Sequence, residues 1–482
     1  MAVFYNEGET KIRPGIYQRH TNIGYDPTAG AMDGYSAIPI QAGWGPLGVV
    51  VKNTRKAQLR KNYGAGTYGA GYTVPAAEAM FDGGAAVVYT YRLGTGGTAA
   101  KITLKDTASS PADAVTITAK YPGDRTFTCT VRAKLGNDDM KECVIYEGTT
   151  EFEKYSFEAG TGVDEAGSLI KAASQSDNFI FEKASGATGA SALALVANAA
   201  FTAGTNPTVT NDDYSAAFAA FEPYYYNTIA IDVDDDTNMT LSLVLHSYLS
   251  NAYKMGKLGI AVVGETVNVD FETRCAHAKA FNDFKCVYQG GGYKTANGSV
   301  DGALAICYTA GVIASTPSNK GITHTVLPNA TDVLESLTYS QYEEAIENGM
   351  LLLSISPEGV VWYDSGINTM TASESQDLDA GWKKIRRVKV RFEMIDRIDR
   401  TLSPKVGRVS CDSDGVSDVI QSAQRILDYM VNEGKLMSGA SFTEDSDNPH
   451  EGDSAWFIIR ADDIDSLEKI YLQYQFRYSQ NS

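Results

Sequence analysis

Between residues 228 and 314 of this 482-residue chain, short apolar runs alternate with longer stretches whose apolar residues recur at helical spacing. Alternation of strands and helices argues for an open, at least partly parallel sheet, so the pattern predicts an α/β body. The predicted elements are a strand at 228–231, a helix at 239–253, a strand at 258–263, a helix at 271–281, a strand at 285–288 and a helix at 302–314.

A different pattern fills residues 98–205, which follow a glycine-rich linker at 94–98. Apolar residues there alternate with threonine and lysine, as around Ile102 and Leu104. A period of two with many threonines is typical of strands that have one face in solvent. We therefore predict a β-rich domain inserted into the α/β body.

The last third of the chain starts a new pattern. Apolar runs at 351–355 and 360–363 flank a Ser-Pro-Glu-Gly turn signal and predict a hairpin. Apolar residues between 419 and 431 form one stripe of a helix, for which Asp414 and Ser417 are the candidate caps. These elements predict a C-terminal α+β domain.

The whole chain is thus predicted to have a mixed α/β, multidomain fold with an extended segment at each end. Proline and glycine near residue 14 favour an extended N-terminal arm over a core element. The arm motif consists of Arg13, Pro14, Gly15, Ile16 and Tyr17. The predicted parts are the N-terminal arm (1–25), a first core part (26–97), the inserted β-rich domain (98–205), a second α/β core part (206–348) and the C-terminal domain with a terminal strand (349–482).

Residues 470–478 are predicted to form a strand in which apolar and aromatic residues partly alternate with polar ones. The residues of this set are Ile470, Leu472, Tyr474, Phe476 and Tyr478. A strand at a chain terminus has unpaired N–H and C=O groups, so it must join a sheet in its own chain or in another. The sequence leaves both alternatives open.

The net charge of −18 limits the classes of partner. Binding to a nucleic-acid backbone or an anionic membrane needs clustered cations, so neither is expected for the chain as a whole. One run departs from this balance, because residues 383–408 hold ten basic and three acidic residues. It predicts a contact with an acidic partner or another copy of the chain, or else a face whose charges pair locally. The candidate contact residues are Lys383, Lys384, Arg386, Arg387, Lys389, Arg391, Arg397 and Arg400.

The strongest candidate for catalysis is the acidic segment 232–236. Carboxylates directly after a strand, such as Asp232 and Asp234, hold Mg²⁺ in some α/β phosphatases, which use Asp-x-Asp-x-Thr. Here a third Asp stands at the fifth position and Thr237 follows it, so the motif is incomplete. The alternative is a solvated acidic loop that leads into a helix.

Other catalytic and metal-binding signals are weak in this sequence. The six cysteines contain no Cys-x-x-Cys pair, the five histidines contain no His-x-x-x-His pair, and no Gly-x-Ser-x-Gly elbow occurs. We therefore expect no metal, no cofactor and no enzymatic activity. Neither a signal peptide nor an apolar run long enough to span a membrane is visible, and we expect assembly in a cytoplasm.

Seven short segments carry a further signal through their order along the chain: residues 13–17, 43–48, 83–89 with Arg92-Leu93, 119–123, 317–320, 345–349 and 366–369. In this order they resemble motifs of the tail sheath proteins of contractile bacteriophages and related contractile injection systems. At one point the chain departs from that family, since Asp124-Arg125 stands where many members have Gly-Asn.

The resemblance implies a structural subunit that forms helically stacked hexameric rings around an inner tail tube and contracts. It implies that the two terminal arms complete sheets in neighbouring subunits, with the inserted domain on the outside. The implied partners are further copies of the chain, the tube protein, and baseplate and terminator proteins, within a virion tail. The basic run, and secondly the helix near 417–434, become candidates for contact with the tube or an adjacent subunit. The alternatives are a Mg-dependent phosphatase-like hydrolase and another virion structural protein.

Overall fold

The structure is a computed structural model that describes residues 30–69, 71–185, 192–372 and 378–476, together with the backbone of two short N-terminal strands. Arg13, Pro14, Gly15, Ile16 and Tyr478 lie outside the described residues, and of Tyr17 only the backbone is described. The elements of the first part are strands β1 (Val3–Phe4), β2 (Tyr17–Gln18), β3 (Tyr35–Ile40) and β4 (Val50–Asn53), helices α1 (Lys56–Tyr63) and α2 (Val74–Asp82), and strand β5 (Val87–Arg92).

The inserted residues form two antiparallel sheets that pack face to face. Their shared core is rich in aromatic and β-branched side chains, including Ile117, Phe127 and Val131. One sheet has the order β10-β9-β8-β12 and the other β11-β7-β6. The elements are β6 (Ala99–Lys105), β7 (Asp113–Pro122), β8 (Thr128–Lys134), β9 (Asn137–Glu147), β10 (Thr150–Glu158), α3 (Glu165–Ala172), β11 (Phe179–Lys183) and β12 (Val196–Ala200).

The insertion enters and leaves the body through two adjacent segments. Thr95 bridges to Thr208 and Thr98 bridges to Thr205, with backbone N–O distances of 3.0 and 3.1 Å. These paired segments form a short two-stranded stalk, so the chain returns to the body next to the point at which it left.

The second core part supplies most of the helices of the body. The predicted helix at 239–253 and strand at 258–263 are confirmed as α5 and β14. The elements are α4 (Asn211–Phe221), β13 (Thr228–Ala230), α5 (Thr240–Lys254), β14 (Ile260–Gly264), α6 (Phe271–Phe281), β15 (Cys286–Gln289), β16 (Tyr293–Thr295), β17 (Gly298–Val300), α7 (Gly302–Ser315), β18 (Ala330–Val333), α8 (Tyr339–Glu347) and β19 (Met350–Leu351).

A seven-stranded sheet of order β19-β15-β14-β13-β3-β5-β4 forms the centre of the body. All neighbouring strands are parallel except β4, which pairs antiparallel with β5. The sheet is thus built from residues on both sides of the insertion, and apolar clusters cover both of its faces. The mixed α/β fold class predicted from the sequence is confirmed.

The last part adds a hairpin, two long helices and a second, two-stranded sheet. The predicted hairpin at 351–363 is confirmed as β20 and β21. The predicted caps of the following helix, Asp414 and Ser417, are wrong, because α10 already begins at Ser413. Its cap is Asp412, whose carboxylate accepts from the Gly415 N–H at 2.9 Å. The elements are β20 (Leu353–Ile355), β21 (Val361–Tyr363), a 3₁₀ turn (Ala380–Lys383), α9 (Ile385–Leu402), a 3₁₀ turn (Ser403–Lys405), α10 (Ser413–Asn432), β22 (Ser441–Glu444) and β23 (Phe457–Arg460).

Helix α9 packs its apolar face against the hydrophobic core of the body. Ile385, Val388 and Phe392 belong to the same core cluster as the sheet strand β19. The hydrophobic core of the body therefore includes residues on both sides of position 349, where the C-terminal domain is predicted to begin. No helix in the described ranges has the length and apolar character that crossing a membrane requires.

Helices α2 and α7 pack backbone against backbone. A Cβ atom on Gly311 would lie 2.1 Å from the Met80 carbonyl oxygen, and one on Gly83 would lie 2.2 Å from the Tyr308 carbonyl oxygen. Both obstacles are backbone atoms, which cannot move aside as the end of a flexible side chain can.

We expect Gly311→Ala to lower the free energy of unfolding by about 1–3 kcal/mol, because the added methyl forces α2 and α7 apart. Urea denaturation followed by circular dichroism measures the change. Gly69→Ala is the control, since a Cβ at Gly69 meets nothing within 4 Å. Equal stability of the Gly311→Ala chain and the unmodified chain would contradict the packing described.

Candidate functional site

Asp232 follows strand β13, and its side chain is completely buried. The Thr73 hydroxyl donates a hydrogen bond to its Oδ2 atom, and the Tyr214 hydroxyl donates to Oδ1 at 2.7 Å. Burial raises the pKa of Asp232 to about 6, although these two hydrogen bonds act in the opposite direction. The carboxylate joins the end of β13 to the start of α2 and to α4, so it acts as an internal tie that is closed to solvent.

The acidic residues that follow Asp232 bind backbone amides of neighbouring elements. Two of these amides lie in the first turns of α5 and α7, where the positive end of the helix dipole stabilises a carboxylate. The segment is therefore a loop that leads into α5 but is solvated only in part, since Asp234 is exposed, Asp236 is half-buried, and Asp232 and Asp235 are buried. Asp232 offers the phosphatase-like alternative no accessible carboxylate. Within the described ranges, no group of three or more His, Cys, Asp or Glu side chains is arranged to hold a metal ion. The pairs are Asp234 with the Ala303 N–H (2.7 Å), Asp235 with the Ser242 N–H (2.8 Å) and Asp236 with the Thr266 N–H (2.8 Å).

An aromatic cluster joins the inserted domain to the body. Trp44 is buried, and its ring centroid lies 5.1 Å from that of Tyr121 and 5.9 Å from that of Phe127. The Arg125 guanidinium lies 4.8 Å from the centre of the Trp44 ring and forms a bidentate pair with Glu147 at 2.7 and 2.8 Å. A cation over an aromatic face that is also paired with a carboxylate fixes the relative position of the two parts.

The loop that carries Trp44 is held from both sides. Buried Arg92 donates to the carbonyl oxygens of Ala42 and Gly45, each at 2.9 Å. On the other side, Gly123 has a φ of 152°, and a Cβ atom there would lie 1.8 Å from the Gly43 carbonyl oxygen. The resembling segments 43–48, 92–93 and 119–123 therefore meet in space. The motifs themselves reveal neither this contact between segments that lie far apart in sequence nor the role of Arg125, at which the chain departs from the family.

The basic run predicted as a contact surface lies just before and along α9. None of its eight candidate residues is fully exposed, and each has a partner inside its own chain. Several of the partners are carbonyl oxygens, and the others include carboxylates that lie far away in sequence. The contacts are Lys383 with the Ile346 oxygen, Lys384 with Glu468, Arg386 with Ser466, Arg387 with Asp463, Lys389 with the Ile313 oxygen, Arg391 with Asp379 and Asp463, Arg397 with Glu393 and Glu433, and Arg400 with Asp396.

Two residues of this set, Lys389 and Arg397, belong to a buried charge network. Glu393 accepts from Arg397 at 2.6 Å and from Lys435 at 2.7 Å, and all three side chains are nearly inaccessible. Lys389 donates to the Ile313 oxygen at 2.6 Å, and its ammonium lies 3.7 Å from Asp33. Burial lowers the pKa of Lys389 to about 8. The network ties α9 to the start of the body and to the end of α10.

The C-terminal segment leaves the body after residue 469. No described strand pairs with residues 470–476, so the strand predicted there has no partner within the described part of its own chain. Its apolar side chains stand in solvent, with Ile470 70%, Leu472 69%, Tyr474 73% and Phe476 92% exposed. These side chains together expose far more apolar surface than the single apolar residues that are scattered over most protein surfaces.

Strands β22 and β23, which precede this segment in sequence, form a sheet of only two members. Among the described strands, neither β22 nor β23 has a second neighbour. On the outer edge of β22, however, the Phe442 N–H donates to the Gln424 Oε1 atom of α10 at 2.9 Å, so β23 provides the more open edge of the sheet. Phe442 anchors the sheet on α10, whereas Trp456 and Ile459 beside the β23 edge are 47% and 39% exposed. The sheet is thus packed on α10 at one face and more open at the β23 edge than at the β22 edge.

Comparison with known proteins gives matches along most of the chain. Residues 208–369 match the family described as the phage tail sheath protein central domain. None of the curated proteins compared with the chain matches it. Among solved structures, the chain is similar to a sheath tail protein from Listeria innocua, with 18% identity over 90% of this chain and 96% of that chain and a TM-score of 0.69.

Two further solved structures extend this likeness. A sheath tail protein from Desulfitobacterium hafniense has 19% identity over 93% of this chain and 100% of that chain, with a TM-score of 0.68. The helical sheath of the anti-feeding prophage in its contracted state has 12% identity over 97% of this chain and 99% of that chain, with a TM-score of 0.53. The resemblance noted in the sequence is confirmed, and the structural matches show a common fold.

We expect Asp232→Asn to change how stability depends on pH. The raised pKa means that the protonated side chain favours the folded state; this contribution is full below pH 3.8 and is lost as the pH rises through about 6. Asparagine carries no proton to lose, so the variant gains on the unmodified chain between these values, by at most about 3 kcal/mol.

Thermal unfolding from pH 4 to pH 7 measures this difference. Asp138→Asn, at an exposed hairpin position, is the control and leaves the profile unchanged. A constant offset between the Asp232→Asn chain and the unmodified chain at every pH would show that Asp232 does not titrate in this range.

Proposed function

We propose that this chain, whose residues 208–369 match the phage tail sheath protein central domain family and which has the fold of solved sheath proteins, is the structural subunit of a contractile sheath. In this proposal, copies of the chain form hexameric rings that stack helically around an inner tail tube. Its other partners are baseplate and terminator proteins. The assembly forms in the host cytoplasm and becomes part of a virion tail or of an injection particle.

The observation that carries the proposal is the exposed apolar segment at residues 470–476, hereafter the arm. Ile470, Leu472, Tyr474 and Phe476 alternate with more polar positions, so they lie on one side of an extended chain. Covering such a side removes apolar area from water and pairs the main chain at once. The described strands of the same chain offer it no ladder, and a second copy supplies one.

The sheet of β22 and β23 is the best acceptor for that arm. Among the described strands β23 has no second neighbour, the sheet is anchored on α10, and exposed apolar side chains lie beside β23. An added strand would extend the sheet through main-chain hydrogen bonds, which depend little on the neighbouring side chains. The N-terminal segment, of which only β1 and β2 are described, is the second candidate strand for this acceptor.

Contraction in this proposal is a shift between two packings of the same subunits. A main-chain ladder keeps neighbours linked while other contacts between subunits are exchanged. The similar sheath of the anti-feeding prophage was solved in a contracted state, which supports extending such a change to this chain. The favourable free energy comes from subunit contacts, so the function needs no catalytic residue and no cofactor.

The basic run stays a weaker candidate for contact with the tube or a neighbouring subunit. Its side chains already have partners in their own chain, and an additional contact would have to share or replace these. Helix α10, whose outer face is polar, remains the second candidate surface for the tube.

We expect the purified chain, expressed together with its neighbouring tail genes, to form hollow striated tubes or six-fold rings in negative-stain electron microscopy. The chain expressed alone provides the comparison, because a sheath needs its tube as a template in this proposal. Small discrete particles in both preparations would overturn the proposed function.

We expect removal of residues 470–482 to abolish the tubes while the thermal unfolding temperature stays within experimental error, because the apolar side chains of the arm, residues 470–476, are largely exposed. A finer variant carries Leu472→Asp and Tyr474→Asp, which place charge on the apolar side of the arm. Its control carries Gln473→Ala and Gln475→Ala on the opposite side and retains the tubes. Normal tubes from the Asp variant would contradict a role for the arm in assembly.

A further inference from the structure

The residues just before the arm are fastened to helix α9 by side chains alone. We call residues 462–468 the root. Main-chain contacts hold only its beginning, where the Met437 N–H donates to the Asp462 oxygen at 2.8 Å and the Ile464 N–H donates to the Lys435 oxygen at 3.0 Å. Beyond Ile464, the root touches the body through ion pairs and hydroxyl hydrogen bonds.

Four cationic side chains at the start of α9 hold the root, and we call them the mount. Arg387 binds both carboxylate oxygens of Asp463, with Nη2–Oδ1 at 2.9 Å, and Arg391 Nη2 lies 3.1 Å from the same Oδ1 atom. The Asp463 side chain is only 7% exposed. Burial would raise its pKa, but the hydrogen bond from Arg387 and the charge of Arg391 outweigh burial and hold the pKa below its usual range. The mount consists of Lys384, Arg386, Arg387 and Arg391.

The remaining mount residues hold the distal half of the root. Arg386 Nη1 donates to the Ser466 hydroxyl at 3.0 Å, and Lys384 forms an ion pair with Glu468. Glu468 also accepts from the Thr323 hydroxyl at 3.0 Å. Glu468 is thus the last residue fastened to the body, and the exposed arm begins two residues later.

Charge and apolar character are divided sharply between the root and the arm. The root contains four acidic residues, whereas residues 470–478 contain none and carry one arginine. On α9, residues 384, 387 and 391 follow helical spacing and share one face, which the root covers. The acidic residues of the root are Asp462, Asp463, Asp465 and Glu468.

We propose that the mount keeps the root on its own subunit while the arm binds a second copy of the chain, and so fixes the length of the segment that bridges two subunits. This inference rests on the proposed function for its second copy, but the mount itself is a property of one chain. Release of residues 465–469 would lengthen the bridge by about 17 Å, since an extended chain spans about 3.4 Å per residue. The four mount residues of the basic run then hold the root from which the arm extends, and other surfaces of the subunit contact the tube.

The distance between two spin labels tests the mount in the unassembled chain. One label is placed at Leu467→Cys, an 81% exposed position in the root, and the other at Tyr339→Cys, a 79% exposed position on α8. Cys411→Ser removes the exposed native cysteine, and the other five cysteines are buried. We expect a narrow distance distribution for this pair, and a broad one when the first label is moved to Tyr474→Cys in the arm.

Charge reversal of one mount residue supplies the critical comparison. We expect Lys384→Glu to widen the Leu467 distribution by about 10 Å, the span of a flexible segment of five residues. Adding Glu468→Lys restores the ion pair with exchanged charges and narrows the distribution again. Lys405→Glu is the matched control, because Lys405 belongs to the same basic run but pairs with Asp418 at 2.7 Å.

The outcomes separate the mount from the proposed function. A Leu467 distribution that stays narrow in Lys384→Glu, or that widens equally in Lys405→Glu, overturns the mount, as does a charge exchange that fails to narrow it. The neutral variant Lys384→Gln replaces Lys384→Glu if the latter does not fold by circular dichroism. A mount that passes these tests in a chain that never forms tubes overturns the proposed function alone.

Discussion

The body of this protein depends on the parallel pairing of β3 with β13. Thr228 lies opposite Ser36 in this ladder, and their hydroxyl oxygens are 2.9 Å apart inside the core. The two strands come from opposite sides of an insertion of about a hundred residues, so this one ladder unites the halves of the central sheet. Asp232, two residues after β13, adds a buried tie to α2 and α4 at the same edge. The helices that cover the sheet, and α9 among them, take their positions from this joined frame.

Much of the fold follows from patterns that the sequence displays locally. The period of two before residue 205 and the helical spacing after it predict the two kinds of layer, because burial of one face leaves a periodic trace. Partners at long range leave no such trace. The basic run is visible as a charge anomaly, but Asp463 and Glu468, which neutralise it, lie more than seventy residues away. The contact of Trp44 with Arg125 was hidden for the same reason, and the start of α10 depended on Asp412, outside the apolar stripe.

Strength is distributed unevenly along the C-terminal part, and the distribution suits a subunit that must hold on while it moves. Apolar packing and a buried charge network fix α9 and α10 to the body. Ion pairs of partial exposure fix the root, and nothing described in the same chain covers the arm. In the proposed sheath, the arm then exchanges solvent for a main-chain ladder, whose geometry tolerates rotation better than a set of specific side-chain contacts does.

The stalk at Thr95–Thr208 and Thr98–Thr205 has a consequence for how such chains diversify. Since the segments entering and leaving the insertion are already paired, the body experiences the insertion as one closed loop. The entropy of closing a loop grows only with the logarithm of its length, and a doubling costs about 0.6 kcal/mol. The inserted domain can therefore grow, shrink or be exchanged during evolution with little effect on the stability of the body. In the proposed sheath, where this domain lies on the outside, particles would present different exteriors to their surroundings over an unchanged body.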